Sequence, residues 1–380
     1  MNLRYFYTND YGLRCLLRRI FISDSQVEKY VLLSELLNMS YKTTYKKPIE
    51  TLAGANLSFS CYNFANSVCF EEKLVQTEVE GFKAYFSDPF KKAIKIFDEV
   101  VNLKFETSEK ILAIAKDRVI KKYEKITSNS YWHSFSTFKI LNSYPQISLP
   151  LIRSITIKDL EQAFEKLKSE KIGNYIYIGK QYKEDLFSSF KPFEKDFDNL
   201  PFNYNVKANN LDSKYTKDSK TFIVEIPEIK DYQGYLNTIT VLNSIKLALI
   251  SNINKPGCNV DVRYQIFSKV KAVINVSVDK GKISNFTNLV VTSNNSSGLN
   301  ITNFISDAID INYLNQVKYS GSYEDLLALL KDLQALCIEF SPEIIYGQMS
   351  IDKNKINDLF NQMKVAYSIV AKNGREIDND

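Results

Sequence analysis

Between Lys180 and Lys220 the hydrophobic periodicity that runs through the rest of the chain stops. Pro192, Pro201 and clustered Asn and Asp take its place, the composition of a connection between packed bodies. On either side the chain holds strands and amphipathic helices in similar order. At 380 residues it is also too long for one ordinary hydrophobic core. The sequence therefore reads as an α+β protein of two similar lobes, each a mostly antiparallel sheet with helices packed on it. The first lobe is residues 1–182, the linker 183–218 and the second lobe 219–380.

In the first lobe, Leu3–Tyr7 and Leu13–Phe21 are predicted strands. Ser25-Gln26-Val27-Glu28 has the spacing of a capping box, and Tyr30, Val31, Leu33, Leu36, Leu37 and Met39 continue from it at helical spacing. A short helix is predicted near Pro48–Leu52. Leu57, Phe59 and Cys61 alternate with Ser58 and Ser60, the pattern of a half-buried strand, with a hairpin partner at Ser67–Phe70. Asp88-Pro89 opens a further predicted helix. Ser108–Tyr123 is predicted as a helix with Ile111, Leu112, Ala115, Val119 and Ile120 inward. Thr156-Ile157-Lys158-Asp159 caps the next one, and Tyr175–Gly179 reads as a buried strand.

The second lobe restarts with a strand at Phe222–Ile226 and a helix over Leu236–Ile250. Strands at Asp261–Phe267, Ala272–Val278 and Leu289–Thr292 follow, and helices at Tyr323–Phe340 and Ile351–Lys372 close the chain.

Composition narrows the function. The excess of 49 Lys and Arg over 44 Asp and Glu is spread along the chain, and pairs such as Lys91-Lys92 and Lys121-Lys122 are diluted by nearby acids. A nucleic-acid surface concentrates its charge on one stripe, so this distribution argues against one. No apolar run reaches the roughly 18 residues expected of a membrane helix, and Met1–Tyr5 carries no apolar targeting core. A cytoplasmic protein without membrane attachment is expected. The cysteines, Cys15, Cys61, Cys69, Cys258 and Cys337, are odd in number and form no C-x-x-C pair. They read as structural thiols.

Catalytic signatures are missing. There is no G-x-S-x-G elbow, P-loop, G-x-G-x-x-G or EF-hand loop. The chain has a single histidine, His133, beside Trp132. One imidazole cannot supply a two-histidine metal site, and no cysteine cluster replaces it. No cofactor is expected.

Several stretches resemble the pitrilysin/insulinase (inverzincin) peptidase family, in its mitochondrial-processing-peptidase-like branch. Ile155-Thr156-Ile157-Lys158-Asp159-Leu160, with the strand Tyr175-Ile176-Tyr177-Ile178-Gly179-Lys180 after it, is similar to the close of that family's first lobe. Leu52-Ala53-Gly54-Ala55-Asn56-Leu57-Ser58-Phe59-Ser60 resembles its Gly-x-x-x-Asn-Ala edge strand, and Asp88-Pro89-Phe90 the segment after its next strand pair. Tyr232–Ile250 resembles the helix before its substrate-contacting loop. The resemblance implies the two-lobed mitochondrial-processing-peptidase/LuxS-like metallohydrolase fold.

Active members of that family hold zinc with His-x-x-Glu-His on the first long helix. The matching stretch here is Leu33-Ser34-Glu35-Leu36-Leu37, so Leu33, Leu36 and Leu37 are degenerate zinc-motif positions and Glu35 reads as an exposed helix residue. The substrate-holding Arg and Tyr of the family's second lobe are matched by Ile253 and Val260; Arg263 and Tyr264 lie nearby, shifted into the next strand. What the resemblance implies is a non-catalytic subunit that pairs with a zinc-bearing homologue as a heterodimer and completes a peptide-processing chamber, as in maturation of a ribosomally made peptide. The expected peptide-pairing strand is Asn56, Leu57, Ser58, Phe59, Ser60 and Cys61. The alternative is a stand-alone peptide-binding or scaffold protein.

Overall fold

Two sheets organise the chain in a computed structural model that describes residues 2–7, 13–21, 26–44, 55–64, 67–76, 107–128, 147–169, 173–179, 191–192, 217–253, 259–279, 289–292, 298–336, 338–348, 350–372 and 375–379. The chain divides into two units. One comprises residues 1–123, 143–198 and 318–329, the other residues 124–142, 199–317 and 330–380.

The first sheet contains β1 (Asn2–Tyr7), β2 (Leu13–Phe21), β3 (Ala55–Phe64), β4 (Ser67–Gln76), β5 (Gly173–Gly179) and β6 (Lys191–Pro192). Their order is β3-β4-β2-β5-β1-β6. β3, β4, β2 and β5 are joined antiparallel, whereas β1 runs parallel to β5 and β6. The two residues of β6 fall inside the stretch read from sequence as linker.

Helices α1 (Val27–Thr44), α3 (Leu149–Ser154) and α4 (Ile157–Ser169) belong to the first unit, as does α2 (Glu109–Ser128) up to Tyr123. α4 shows why its sequence folds as it does. Leu160, Ala163, Phe164 and Leu167 recur at helical spacing and all are buried. Thr156 and Asp159 close its first turn reciprocally: the Thr156 N–H and hydroxyl donate to the Asp159 carboxylate at 2.9 and 2.6 Å, and the Asp159 N–H donates to the Thr156 hydroxyl oxygen at 3.3 Å. One core gathers these buried residues with Tyr30, Leu33, Leu36 and Leu37 of α1, Leu112, Ala115 and Val119 of α2, and Ile20, Phe59, Cys61, Val68, Phe70 and Tyr177 of the sheet. Ile111, expected inward, is 40% exposed. The buried stripe of α2 runs through Leu112, Ala115, Val119 and Tyr123, and Ile111 sits one residue outside it.

Glu28 is buried, and its carboxylate accepts from the Ser148 N–H at 2.9 Å, joining the start of α1 to the residue before α3. Ser25, the predicted helices at Pro48–Leu52 and Asp88-Pro89, and His133 and Trp132 lie outside the described residues.

The second sheet is wholly antiparallel, in the order β11 (Arg375–Asn379), β10 (Lys364–Lys372), β7 (Lys217–Glu225), β9 (Lys271–Asp279), β8 (Val260–Ser268). β9 is buried from Ala272 to Val278 on both faces. Its polar residues are bonded internally: Asn275 Nδ2 donates to Thr221 Oγ1 at 2.7 Å and Ser277 Oγ donates to Asn275 Oδ1 at 3.0 Å. The remaining helices are α5 (Tyr232–Ile253), α6 (Ile305–Gly321), α7 (Tyr323–Ala335), α8 (Pro342–Tyr346) and α9 (Lys353–Gln362); α5, α8 and α9 lie wholly in the second unit, whereas α6 and α7 each have residues in both.

α5 is longer than predicted. Among the described residues it alone is long and apolar enough to cross a membrane by length and composition, so the expectation that no segment approaches that limit was too strict. Most of it is buried inside the fold. The hydroxyls of Thr238, Thr240 and Ser244 donate back to the carbonyls of Gly234, Leu236 and Thr240, all at 2.8 Å, which lets polar residues sit in a buried helix.

Three predicted elements change. Leu289–Thr292 is irregular instead of a strand, and the Leu289 carbonyl accepts from the Lys220 ammonium at 2.9 Å. The helix expected to run to Phe340 ends at Ala335, where the Ile338 N–H turns back to the Leu333 carbonyl and Pro342 restarts a separate helix. The helix expected over Ile351–Lys372 is the helix α9 followed by the strand β10. Lys364–Lys372 is rich in β-branched and aromatic residues, and pairing with β7 decides in favour of strand. α6 and β11 were not anticipated.

Candidate functional site

The candidate peptide-pairing strand lies in β3, the terminal strand of its sheet: β4 pairs along one side, and no strand pairs along the other among the described residues. Phe59 and Cys61 are buried toward the core while Ser58 is exposed, so the predicted alternation is present. The ring of Phe59 lies 6.2 Å from that of Phe70 on β4.

α1 packs against this strand, and two of its side chains that sequence reading had passed over bond to it. Asn38 Nδ2 donates to the Cys61 carbonyl at 2.7 Å, and the Cys61 N–H donates to Asn38 Oδ1 at 2.7 Å. One turn earlier, the Cys61 thiol donates to Ser34 Oγ at 3.4 Å. Ser34 and Asn38 are four residues apart and so share a helix face. The signal available in the sequence was a Ser and an Asn at that spacing within an otherwise apolar helix.

The three positions expected from the sequence to be a degenerate zinc motif are part of the core. Leu33, Leu36 and Leu37 are 0%, 1% and 5% exposed and pack in the cluster that holds Phe59 and Phe70. None of the three side chains offers a donor atom to a metal. Glu35 is half-buried and faces outward, with Arg118 of α2 at 3.4 Å. Burial pushes the Cys61 thiol up to about 12, an effect that the Ser34 contact opposes only in part, so it stays protonated at neutral pH and is a poor nucleophile. Among the described residues no group of three or more His, Cys, Asp or Glu side chains is arranged to hold a metal ion.

In the second half, Ile253 is buried at the end of α5 and Val260 opens β8. Arg263 and Tyr264 lie within β8 and are engaged locally. Arg263 Nε donates to Asp261 Oδ2 at 2.8 Å. The Tyr264 hydroxyl donates to Asn243 Oδ1 at 2.6 Å, and Asn243 Nδ2 donates to Asn312 Oδ1 at 3.3 Å. These contacts bind β8 to α5 and α6.

The sequence matches no protein-family model and no curated protein sequence. Solved structures do match the fold along nearly the whole chain. A conserved protein from Enterococcus faecalis V583 superposes with a TM-score of 0.64 at 14% identity, covering 100% of this chain and 97% of that one. The inactive domain of a peptidase M16 from Pseudomonas fluorescens gives 0.55 at 14% identity, covering 95% and 88%. Pitrilysin gives 0.56 at 12% identity over 95% of this chain and 41% of its own, so this chain spans less than half of pitrilysin. With its two mostly antiparallel sheets and their helices, the chain therefore has the α+β fold of the M16 peptidases, to which pitrilysin belongs.

Proposed function

We propose that this chain is a non-catalytic, peptide-binding subunit of the pitrilysin type that works beside a zinc-bearing homologue. The observation that carries the reading is the pairing of an open sheet edge with a helix stripped of metal chemistry. β3 keeps one side unpaired by any described strand, and the α1 positions matching the zinc motif are core leucines. An exposed strand recognises extended peptide through main-chain hydrogen bonds and needs no metal to do so. The single histidine in the sequence supports the same division of labour, because hydrolysis by the family's chemistry takes two imidazoles from one chain.

In this reading the chain forms a cytoplasmic heterodimer and completes a chamber in which the partner cuts a peptide, such as a ribosomally made precursor. The test is to co-express the chain with a His-x-x-Glu-His homologue from the same genome. Co-purification, with peptide hydrolysis by the mixture and by neither the chain alone nor a partner mutated in its zinc motif, is the expected result. Hydrolysis by the isolated chain, or stoichiometric zinc in it, would overturn the proposal. Binding of extended peptides with no partner captured would favour the stand-alone scaffold.

A further inference from the structure

The carboxamide of Asn38 meets β3 as a neighbouring strand would. A peptide unit that joins a sheet edge offers an N–H to the edge strand's carbonyl and a C=O to its N–H. Asn38 offers the same pair to a single residue, with both bonds to Cys61 at 2.7 Å.

The side on which this happens follows from strand geometry. In an antiparallel ladder the N–H and C=O of one residue point to the same side, and alternate residues point the same way. Cys61 is opposite Phe70 of β4, yet its N–H and C=O go to Asn38. The groups of Cys61 thus face away from β4, and by alternation so do those of Ala55, Leu57, Phe59 and Asn63. Asn38 sits on the side an added strand would occupy.

We infer that Asn38 is a built-in stop for strand addition: a peptide pairing with β3 from its Ala55 end cannot continue past Cys61. The inference rests on the peptide-pairing reading above and adds to it a length and a boundary. The useful edge shrinks to one end of the strand, where Ala55 and Leu57 turn their backbone groups outward. The bond from Ser34 to the Cys61 thiol lies on the strand's core side and does not obstruct the edge.

The test uses blocked, fluorescein-labelled Thr/Val peptides of about five and about ten residues, the shorter matched to the open stretch. Binding is read by anisotropy and by amide hydrogen exchange along β3. For the unaltered protein, the two lengths should bind alike, with slowed exchange at Leu57 and no change at Asn63. Asn38→Ala should speed exchange of the Cys61 amide in the free protein, whereas Asn38→Asp keeps an acceptor for that N–H and loses only the donor to the Cys61 carbonyl. Asn38→Ala should also bind the longer peptide about ten-fold more tightly than the shorter, as expected for two added backbone hydrogen bonds. Ser34→Ala should keep the wild-type length dependence. The measurement on the unaltered protein stands even if an Asn38 variant fails to fold. Protection reaching Asn63 in the wild type, or the same gain with length in wild type and variants, would overturn the stop while leaving peptide pairing in place. No protection of β3 by any peptide in any variant would remove the peptide reading and this inference with it.

Discussion

Placing imidazoles at Leu33 and Leu37 should unfold the first unit without creating a metal site. Leu33 is 0% exposed and Leu37 5% exposed, and both pack in the cluster that joins α1 to β3 and β4. Replacing each with His forfeits about 1.5–3 kcal/mol of apolar burial. It also places ring nitrogens where the neighbours are hydrocarbon, which costs about 1–3 kcal/mol per unsatisfied group. Together Leu33→His and Leu37→His remove roughly 5–12 kcal/mol, set against about 5–15 kcal/mol for an entire domain. Zinc has little with which to offset this, because the acid between the two positions, Glu35, points toward Arg118 on the other side of the helix. Denaturant unfolding of the double variant, with and without zinc, should show the first unit's transition lost or shifted far down, and metal analysis should find no stoichiometric zinc. A double variant that unfolds at the wild-type midpoint and carries one zinc per chain would refute the assignment of these leucines to the core.

Three further outcomes follow from titratable groups. The Cys61 thiol, pushed up to about 12 by burial, should be alkylated in native protein at about pH 8 no faster than the protein opens, and rapidly once denatured; fast native labelling at Cys61, read by peptide mass spectrometry, would contradict this. Burial lowers the Lys220 ammonium below its ordinary 10.5, so the folded state loses this proton before the unfolded state does. Its penalty is present at neutral pH and is relieved as pH rises through the folded value; the stability of wild type relative to Lys220→Met should therefore rise through the alkaline range, and a pH-independent gap would exclude the effect. The Asp159 carboxyl is held below its ordinary 3.8 by hydrogen bonds from the Thr156 hydroxyl and amide, with Lys29 at 3.7 Å. Its contribution is present above 3.8 and lost as pH falls through the folded value, so Asp159→Asn should lower stability by about 1 kcal/mol at neutral pH and flatten the acid limb of the stability curve; equal pH dependence in both proteins would exclude it.

How much of this was visible beforehand depended on how local the cause was. β1, β2, the β3–β4 hairpin, α1, α4 and β5 each carry their own signal: a period of two, a period near 3.6, or a Thr and an Asp at capping distance. The closing segment failed for the opposite reason. Asn354 to Gln362 is helical by its own pattern, with Ile356 and Phe360 buried, but nothing within Lys364–Lys372 says that β7 is waiting beside it. Leu289–Thr292 has strand-forming residues, yet its buried position is fixed by the Lys220 ammonium reaching the Leu289 carbonyl. α6 escaped notice because Leu314 and Val317 are 62% and 70% exposed, which blurs the stripe that marks an amphipathic helix.

The sequence by itself determined the two-lobed α+β plan, the alternation in β3, and the presence of a single histidine, because composition and periodicity are properties of neighbours along the chain. Only the tertiary structure decided which strand stands at the sheet's edge and which side chain reaches it. Asn38 and Cys61 are 23 residues apart in sequence, and a hydrogen bond between them exists only once α1 has been laid against β3 by the burial of Leu33, Leu36 and Leu37. The apolar contacts of Leu33, Leu36 and Leu37 are the ones that bring the Asn38 amide to the strand.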